Sequence, residues 1–339
     1  MAESIGDRSL DLLTVGRSSV DLYGEQVGGR LEDMGSFAKY VGGSPTNTAV
    51  GAARLGLRAA VLTRVGNDHF GRFIREELVR CGVDISGVII DPRRLTALAV
   101  LGIRDERRFP LLFYRESCAD MALCVADVDA TLITRAGAVL INGTHLSQAG
   151  VRGASRKVVT LARATGGRVV FDIDYRPVLW GLAAQDAGEN RYVTSATVTA
   201  ELQEVAPQCD LIVGTEEEFH ILGGSADTMA ALRAVRALTP ALLVCKLGAH
   251  GCVAFEGEIG TKLESGVKVP GFDVEVFNIL GAGDAFMSGF LRGWLKALPL
   301  ETCCRYGNAC GAVVVSRHGC APAMPRAPQT DCIEPRVNW

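Results

Sequence analysis

From residue 10 onward, short runs of aliphatic and β-branched residues alternate with longer segments whose apolar positions recur every three or four residues. Such alternation predicts an α/β fold, a mostly parallel sheet covered by helices on both faces. Residues 10–15, 59–65, 138–142, 168–173, 211–213 and 242–247 are expected as its central strands. Several are apolar at successive positions, as strands buried on both faces must be. Segments 45–55, 69–80, 153–164, 198–205 and 228–238 carry apolar residues at helical spacing. Gly56 and Gly82 follow two of them, where glycine takes the left-handed cap conformation at little cost.

Two segments interrupt the alternation. Residues 21–40 are Gly-rich with scattered apolar positions, and residues 95–114 read as two strands around a polar turn at 104–108. A small accessory sheet, standing off the main sheet as a lid with strands from about 17–40 and 95–116, accounts for both. One domain is expected over 10–325, followed by an irregular tail at 326–339. From residue 321 onward the chain is rich in Pro and polar residues and is expected to lie on the surface with little structure.

Composition narrows the class. With 339 residues, 48% hydrophobic and 22% charged, the chain can bury a large core. A net charge of −3 and scattered arginines give no footprint for polyanions, which argues against a nucleic-acid partner. The first residues carry no secretory pattern and no segment approaches the roughly 18 apolar residues of a membrane span. A cytoplasmic protein with no membrane partner is expected. The 11 cysteines are odd in number, irregularly spaced and partly within apolar runs (Cys245, Cys252, Cys310), which predicts neither a disulfide framework nor a zinc site. The adjacent Cys303 and Cys304 lack Cys-x-x-Cys spacing, and the five dispersed histidines suggest no catalytic role.

The most informative stretch is 274–298. An extended apolar approach runs into Gly281, Ala282, Gly283 and Asp284, and a helix follows with Phe286, Phe290, Leu291 and Trp294 at core spacing. This sets a small-residue turn at a helix N-terminus. Open backbone N–H groups and about half a positive charge from the helix dipole can hold a phosphate there, with Asp284 beside it. Asp is also a favoured N-cap, so a merely structural role for Asp284 stays open. A dinucleotide-binding turn is disfavoured, because Phe286 occupies the third glycine position and the motif lies far from the first strand. No Gly-x-x-x-x-Gly-Lys-Ser/Thr loop occurs, which excludes the P-loop enzymes.

A second motif spans 40–50, where Gly42 and Gly43 precede a helix opened by Ser44 and Pro45. Pro at a helix start is ordinary punctuation. Asn47 is more informative, since its amide in the first turn can both donate to and accept from hydroxyl groups.

Together, the early Gly-Gly-x-x-x-Asn and the late Gly-Ala-Gly-Asp resemble the motifs of the ribokinase-like, or phosphofructokinase-B, family of carbohydrate kinases, over residues 10 to 325. Segments 15–24, 35–40 and 171–180 are most similar to the branch acting on a 2-deoxy-5-keto hexonic acid. The resemblance implies a ribokinase-like doubly wound sheet with a β lid, Mg·ATP as phosphoryl donor and a homodimer. It implies Asp284 as catalytic base, Gly281, Ala282 and Gly283 as anion hole, and Asp21, Gly43 and Asn47 as ligands of substrate hydroxyls. Lys246, Gly248 and Gly251 match the nucleotide loop, and Asn308 matches the position against the adenine. A strand-like segment near 318–319 is expected to close the fold.

Two departures from the family pattern stand out. Gly214 occupies the Asn position of the Asn-x-x-Glu motif that organises Mg²⁺, leaving Glu217 as its carboxylate. Asn278 replaces an Asp often found at a monovalent-cation site, which argues against K⁺ activation.

A sugar acid needs a cation for its carboxylate, and Arg grips one through a planar fork. Arg176, two residues after Asp174, and the pair Tyr114 and Arg115 at the end of a lid strand are the candidates. Arg176 could instead pair with Asp172 or Asp174. The expected reaction is phosphorylation of the acid's 6-hydroxyl. Rival acceptors are 2-dehydro-3-deoxygluconate and fructose, and a non-catalytic sugar- or nucleotide-binding regulator is the alternative from another class.

Overall fold

Leu12 and Leu13 are both fully buried, yet they belong to separate apolar clusters on opposite sides of the first strand. The computed structural model, which describes residues 8–105, 108–184 and 192–326, repeats this arrangement along most of its main sheet. Its strands are β1 (Leu10–Val15), β4 (Ala59–Gly66), β5 (Val88–Asp91), β8 (Ala136–Asn142), β9 (Arg168–Asp172), β10 (Leu211–Thr215), β11 (Leu242–Lys246), β12 (Cys252–Phe255) and β13 (Val267–Val269). Among the described residues they lie in the order β13-β12-β11-β10-β9-β8-β1-β4-β5, antiparallel only at β11-β12-β13. A separate sheet, β3-β2-β6-β7, is built from β2 (Ser19–Gly24), β3 (Phe37–Gly42), β6 (Ala97–Leu101) and β7 (Leu111–Tyr114). This is the expected lid; residues 106 and 107 of its polar turn lie outside the described residues.

Helices α1 (Ser44–Arg54), α2 (His69–Arg80), α3 (Ala130–Thr134), α4 (Ala149–Ala164), α5 (Ala196–Gln203), α6 (Glu216–Gly223), α7 (Thr228–Leu238), α8 (Ala282–Leu295) and α9 (Leu300–Val315) cover the main sheet. On one face Leu13, Ile141, Phe171, Ile212 and Leu243 pack with Val151 and Val158 of α4 and Phe219 of α6. On the other, Leu12, Leu140, Val170 and Val244 pack with Phe286, Met287 and Phe290 of α8 and Cys303 of α9. Gly56 and Gly82 have φ of 85° and 81°, the left-handed caps expected from their placement. None of the helices among the described residues is long and apolar enough to cross a membrane.

The structure departs from the sequence reading in four places. The three glutamates after β10 open helix α6, because Thr215 and Glu218 form a reciprocal capping box and acidic residues favour a helix N-terminus. The apolar approach before Gly281 is not a strand; the N–H groups of Phe277 and Asn278 instead bond to the carbonyl of Val315. No strand forms near 318–319, where Gly319 turns the chain with φ of 81°. Residues 321–324 are not a loose surface segment. Ala321, Ala323 and Met324 are buried, the last two against Leu55, Ala285 and Val314, and Arg54 Nη1 donates to the carbonyls of Ala321, Pro322 and Met324 at 2.8, 3.0 and 3.1 Å. Surrounding Pro and polar residues masked those apolar side chains. Of the tail expected at 326–339, only Arg326 is among the described residues.

Candidate active site

β1 lies between β8 and β4, so connections leave it toward opposite halves of the sheet and open a crevice at the carboxyl ends of the strands. A cavity of about 1310 Å³ occupies this edge. Its wall includes Arg17 just beyond β1 and Asp172, Thr215 and Lys246, which end β9, β10 and β11. Tyr23, Leu101 and Phe113 line it from the lid.

Helix α8 begins at this cavity. Gly281 is its N-cap, with φ of 83°, and a Cβ built there would lie 2.1 Å from Cys320 Sγ, so glycine is required both by conformation and by space. Asp284 is therefore three residues inside the helix and is not its cap. Its Oδ2 accepts from Asn47 Nδ2 at 2.8 Å and from Cys320 Sγ at 3.7 Å. Burial, with Asp174 nearby, pushes its carboxyl above the ordinary range, while Asn47, Ser44 and Arg176 pull the other way. The N–H groups of a first helical turn have no intrahelical acceptor. Beside them sits Lys246, whose Nζ is 3.3 Å from a Cβ built on Gly283. Gly281, Ala282 and Gly283 thus form a small-residue turn at a helix N-terminus, suited to an anion and facing an ammonium group, with the half-buried Asp284 carboxylate next to it.

The hydroxyl ligands implied by the resemblance come together at the same cavity. Asp21 Oδ1 accepts from Ser19 Oγ at 3.0 Å, and its carboxylate lies over Gly42, where a built Cβ would be 1.9 Å from Oδ1. Burial pushes the Asp21 carboxyl up to about 6, against the pull of Ser19, Arg115 and Arg17. Gly43 has φ of 94°, and a built Cβ would meet the Arg17 carbonyl at 2.4 Å. Asn47 Oδ1 has no hydrogen-bond partner among the described residues.

Of the proposed carboxylate ligands, Arg176 lines the cavity, with Nη2 at 3.2 Å from Asp174 Oδ1 and Nη1 at 3.8 Å from Glu218. Arg115 is instead buried in an ion pair with Asp120, and Tyr114 is 61% exposed; neither is among the cavity-lining residues. Strand alternation explains Tyr114, since Phe113 rather than its neighbour turns inward, while Arg115 lies past the strand's end and is held by Asp120. The other cation at this end is Arg17, whose Nη2 is 2.5 Å from Asp174 Oδ2. Asp174 adopts φ of 29°, a strained conformation fixed by Arg17, by Asn142 Nδ2 at 3.0 Å and by Thr144 Oγ1 on its carbonyl at 2.5 Å. Burial opposes ionisation of Asp174, but Arg17 and Arg176 outweigh it and hold its carboxyl below the usual value. Burial pushes neighbouring Asp172 up to about 8, with Lys246 opposing and Asp174 and Glu218 reinforcing.

On the opposite side, Gly248 and Gly251 take φ of 60° and 89°, and a Cβ on Gly251 would be 2.1 Å from the Val269 carbonyl. Asn308 lines the cavity while its Nδ2 donates to the carbonyls of Val269 and Pro270 at 3.1 and 2.9 Å, tethering α9 to the chain after β13. Glu217 lines the cavity; adjacent Glu218 is buried and lies 3.8 Å from Lys246 Nζ. Among the described residues no group of three His, Cys, Asp or Glu side chains is placed to hold a metal ion.

Sequence reasoning missed Arg17, Asn142, Glu218 and Cys320. Thr215-x-x-Glu218 could have been read as a capping box. Arg17 lies inside a segment that carried the family resemblance, whereas nothing in the sequence singles out Cys320.

The family model for pfkB family carbohydrate kinases matches residues 9–327. The chain is 32% identical over 331 residues to a 5-dehydro-2-deoxygluconokinase of Halalkalibacterium halodurans, covering 96% of this chain and 95% of the relative. The crystal structure of a PfkB protein from Polaromonas sp. JS666 superposes with a TM-score of 0.79 at 29% identity, covering 95% of this chain and 99% of that one. An uncharacterized sugar kinase from Pyrococcus horikoshii, in complex with ATP, gives a TM-score of 0.77 at 25% identity, covering 94% and 96%. With the family match spanning the sheet, the lid and the anion-binding turn, this chain belongs to the pfkB family of carbohydrate kinases and is an ATP-dependent sugar kinase.

Proposed function

We propose that this kinase transfers the γ-phosphoryl group of ATP to the 6-hydroxyl of 5-dehydro-2-deoxy-D-gluconate, with Asp284 as general base. The observation that carries the reading is the placement of half-buried Asp284 in the first turn of α8, beside Gly283 and Lys246 on one cavity wall. The acceptor's O–H bond breaks and its proton goes to Asp284. A bond forms between that oxygen and the γ-phosphorus, while the bond to the β,γ-bridging oxygen breaks and ADP leaves with the electron pair. N–H groups of the Gly281–Gly283 turn and the Lys246 ammonium stabilise the charge on the transferred group.

Asp21, Gly43 and Asn47 orient the acceptor's hydroxyls, and Gly248, Gly251 and Asn308 border the nucleotide. Glu216 and Glu217 line the cavity and would offer Mg²⁺ the hard oxygen donors it prefers, and the ion would spread the charge of the ATP phosphates. K⁺ activation is not part of this reading, because both ends of the Asn278 amide are engaged, with the Arg317 carbonyl and the Leu280 N–H. The lid lines the acceptor end, where excluding water limits hydrolysis of ATP.

The choice of an acid over a neutral sugar is supported by the name of the Halalkalibacterium halodurans relative and by Arg17 and Arg176 at the acceptor end. ADP release measured across sugar acids and neutral sugars tests it. 5-Dehydro-2-deoxy-D-gluconate should exceed 2-dehydro-3-deoxygluconate and fructose in kcat/KM by about tenfold or more. Equal or better use of either rival overturns the acceptor.

A further inference from the structure

Three arginines are buried or nearly so around the acceptor end, and they are not paired alike. Arg115 pairs with Asp120, whose Oδ2 also accepts from the Ser18 N–H at 3.1 Å. Arg17 and Arg176 converge on a single carboxylate, Asp174, one on each oxygen. Arg17 is 5% exposed, lines the cavity with Ser19, Asp21 and Asn47, and its Nε has no hydrogen-bond partner among the described residues. His145, fully buried behind Arg17, is held neutral with its imidazole pushed down to about 3, first by burial and then by Arg17 and Arg115.

Other charged groups share this cavity. Glu218 is divided between Arg176 and Lys246, each at 3.8 Å. Lys246 also faces Asp172, which burial keeps largely protonated at neutral pH. Asp21, which Arg115 and Arg17 act on, and Asp284, which Arg176 acts on, face the cavity as well. A guanidinium that lines the cavity and shares its counter-ion with a second guanidinium is suited to another carboxylate, one brought by the ligand.

We infer that Arg17 is a specificity-determining residue, whose guanidinium, steadied by Asp174, receives the acceptor's carboxylate in place of the sequence candidate Arg115. The inference rests on the acid-kinase reading above. It makes Asp174 a positioning residue, because Arg17 and Arg176 both bear on its carboxylate.

The test compares 2-deoxy-D-gluconate with uncharged 2-deoxy-D-glucitol as competitive inhibitors, alongside kcat/KM for the acid substrate and for fructose. Arg17→Lys should lower the acid-to-neutral preference about ten- to a hundredfold, since it keeps the charge but loses the fork. Arg115→Lys should leave the preference unchanged. In the unaltered protein, phenylglyoxal should label Arg17, and 2-deoxy-D-gluconate but not the glucitol should protect it on peptide mapping. Unchanged preference in Arg17→Lys, a larger loss in Arg115→Lys, or an Arg17 that phenylglyoxal does not reach each overturns the inference. Should the unaltered enzyme phosphorylate no sugar acid, the proposed function itself falls; should it prefer acids while Arg17→Lys keeps that preference, only the role of Arg17 falls.

Discussion

Asn47 Nδ2 donates to Asp284 Oδ2 at 2.8 Å across 237 positions of sequence, joining the first turn of α1 to the first turn of α8. The early and late motifs are therefore two halves of one device. One half sets the orientation and basicity of the carboxylate, and the other brings it to the anion-binding turn.

The acid limb of the pH profile should report this contact. Asp284 is raised by burial, so kcat/KM should climb with pH through a value above that of an ordinary Asp as the carboxylate forms. Asn47 stabilises the charged form, so Asn47→Ala should move the limb to higher pH. Asp284→Asn should lower kcat by about 10²–10⁴-fold while ATP binding, followed by calorimetry, persists. Near-normal turnover in Asp284→Asn would remove this residue from the mechanism.

Gly281→Ala should damage the anion-binding turn twice over. Its φ of 83° costs a residue with Cβ about 1–2 kcal/mol, and the added atom meets Cys320 Sγ at 2.1 Å and Cys320 Cβ at 2.6 Å. Cys320→Ala cannot relieve the second contact, but Cys320→Gly can. The double variant Gly281→Ala with Cys320→Gly should recover part of the lost melting temperature and kcat relative to Gly281→Ala alone. No recovery would assign the whole defect to the backbone.

How much of this site was legible follows from what each residue does locally. Asp284 and its glycines stood out because an anion turn needs small residues and a helix start in one short segment. Strands β8 and β9 showed themselves by the continuous apolar runs 138–141 and 169–171, since both of their faces are covered. Cys320 was opaque for the opposite reason: its contacts with Gly281 and Asp284 exist only after the chain end folds back under α8. Arg115 misled because it lies just past the end of β7, where the chain leaves the strand and its partner Asp120 in the following 3₁₀ turn draws it into a buried ion pair.

The neighbouring glutamates of α6 should separate cleanly. Glu217 faces the cavity, so Glu217→Gln should raise the Mg²⁺ concentration needed for half-maximal rate with little change in melting temperature. Glu218 caps its own helix through the Thr215 N–H at 2.8 Å and accepts from the Tyr175 N–H at 3.3 Å. Glu218→Ala should instead lower stability by about 0.5–2 kcal/mol, read by thermal or urea unfolding. A Mg²⁺ titration unchanged in Glu217→Gln would count against the metal assignment.

Arg176 differs from Arg17 in holding several partners at once: Asp174 at 3.2 Å, Glu218 at 3.8 Å and the Tyr175 carbonyl at 2.9 Å. Its guanidinium therefore has both a structural and a recognition part to lose. Arg176→Lys keeps the charge and removes the fork, so kcat/KM for 5-dehydro-2-deoxy-D-gluconate should fall about ten- to a hundredfold if the carboxylate contact persists into the transition state. Activity on fructose should change much less. Because Arg17 and Arg176 share Asp174, their effects on the acid should also be non-additive, and the double Lys variant should lose less than the product of the single losses. Equal losses on acid and neutral sugar would mean that Arg176 acts only through Asp174 and the fold, and its carboxylate role would then be withdrawn.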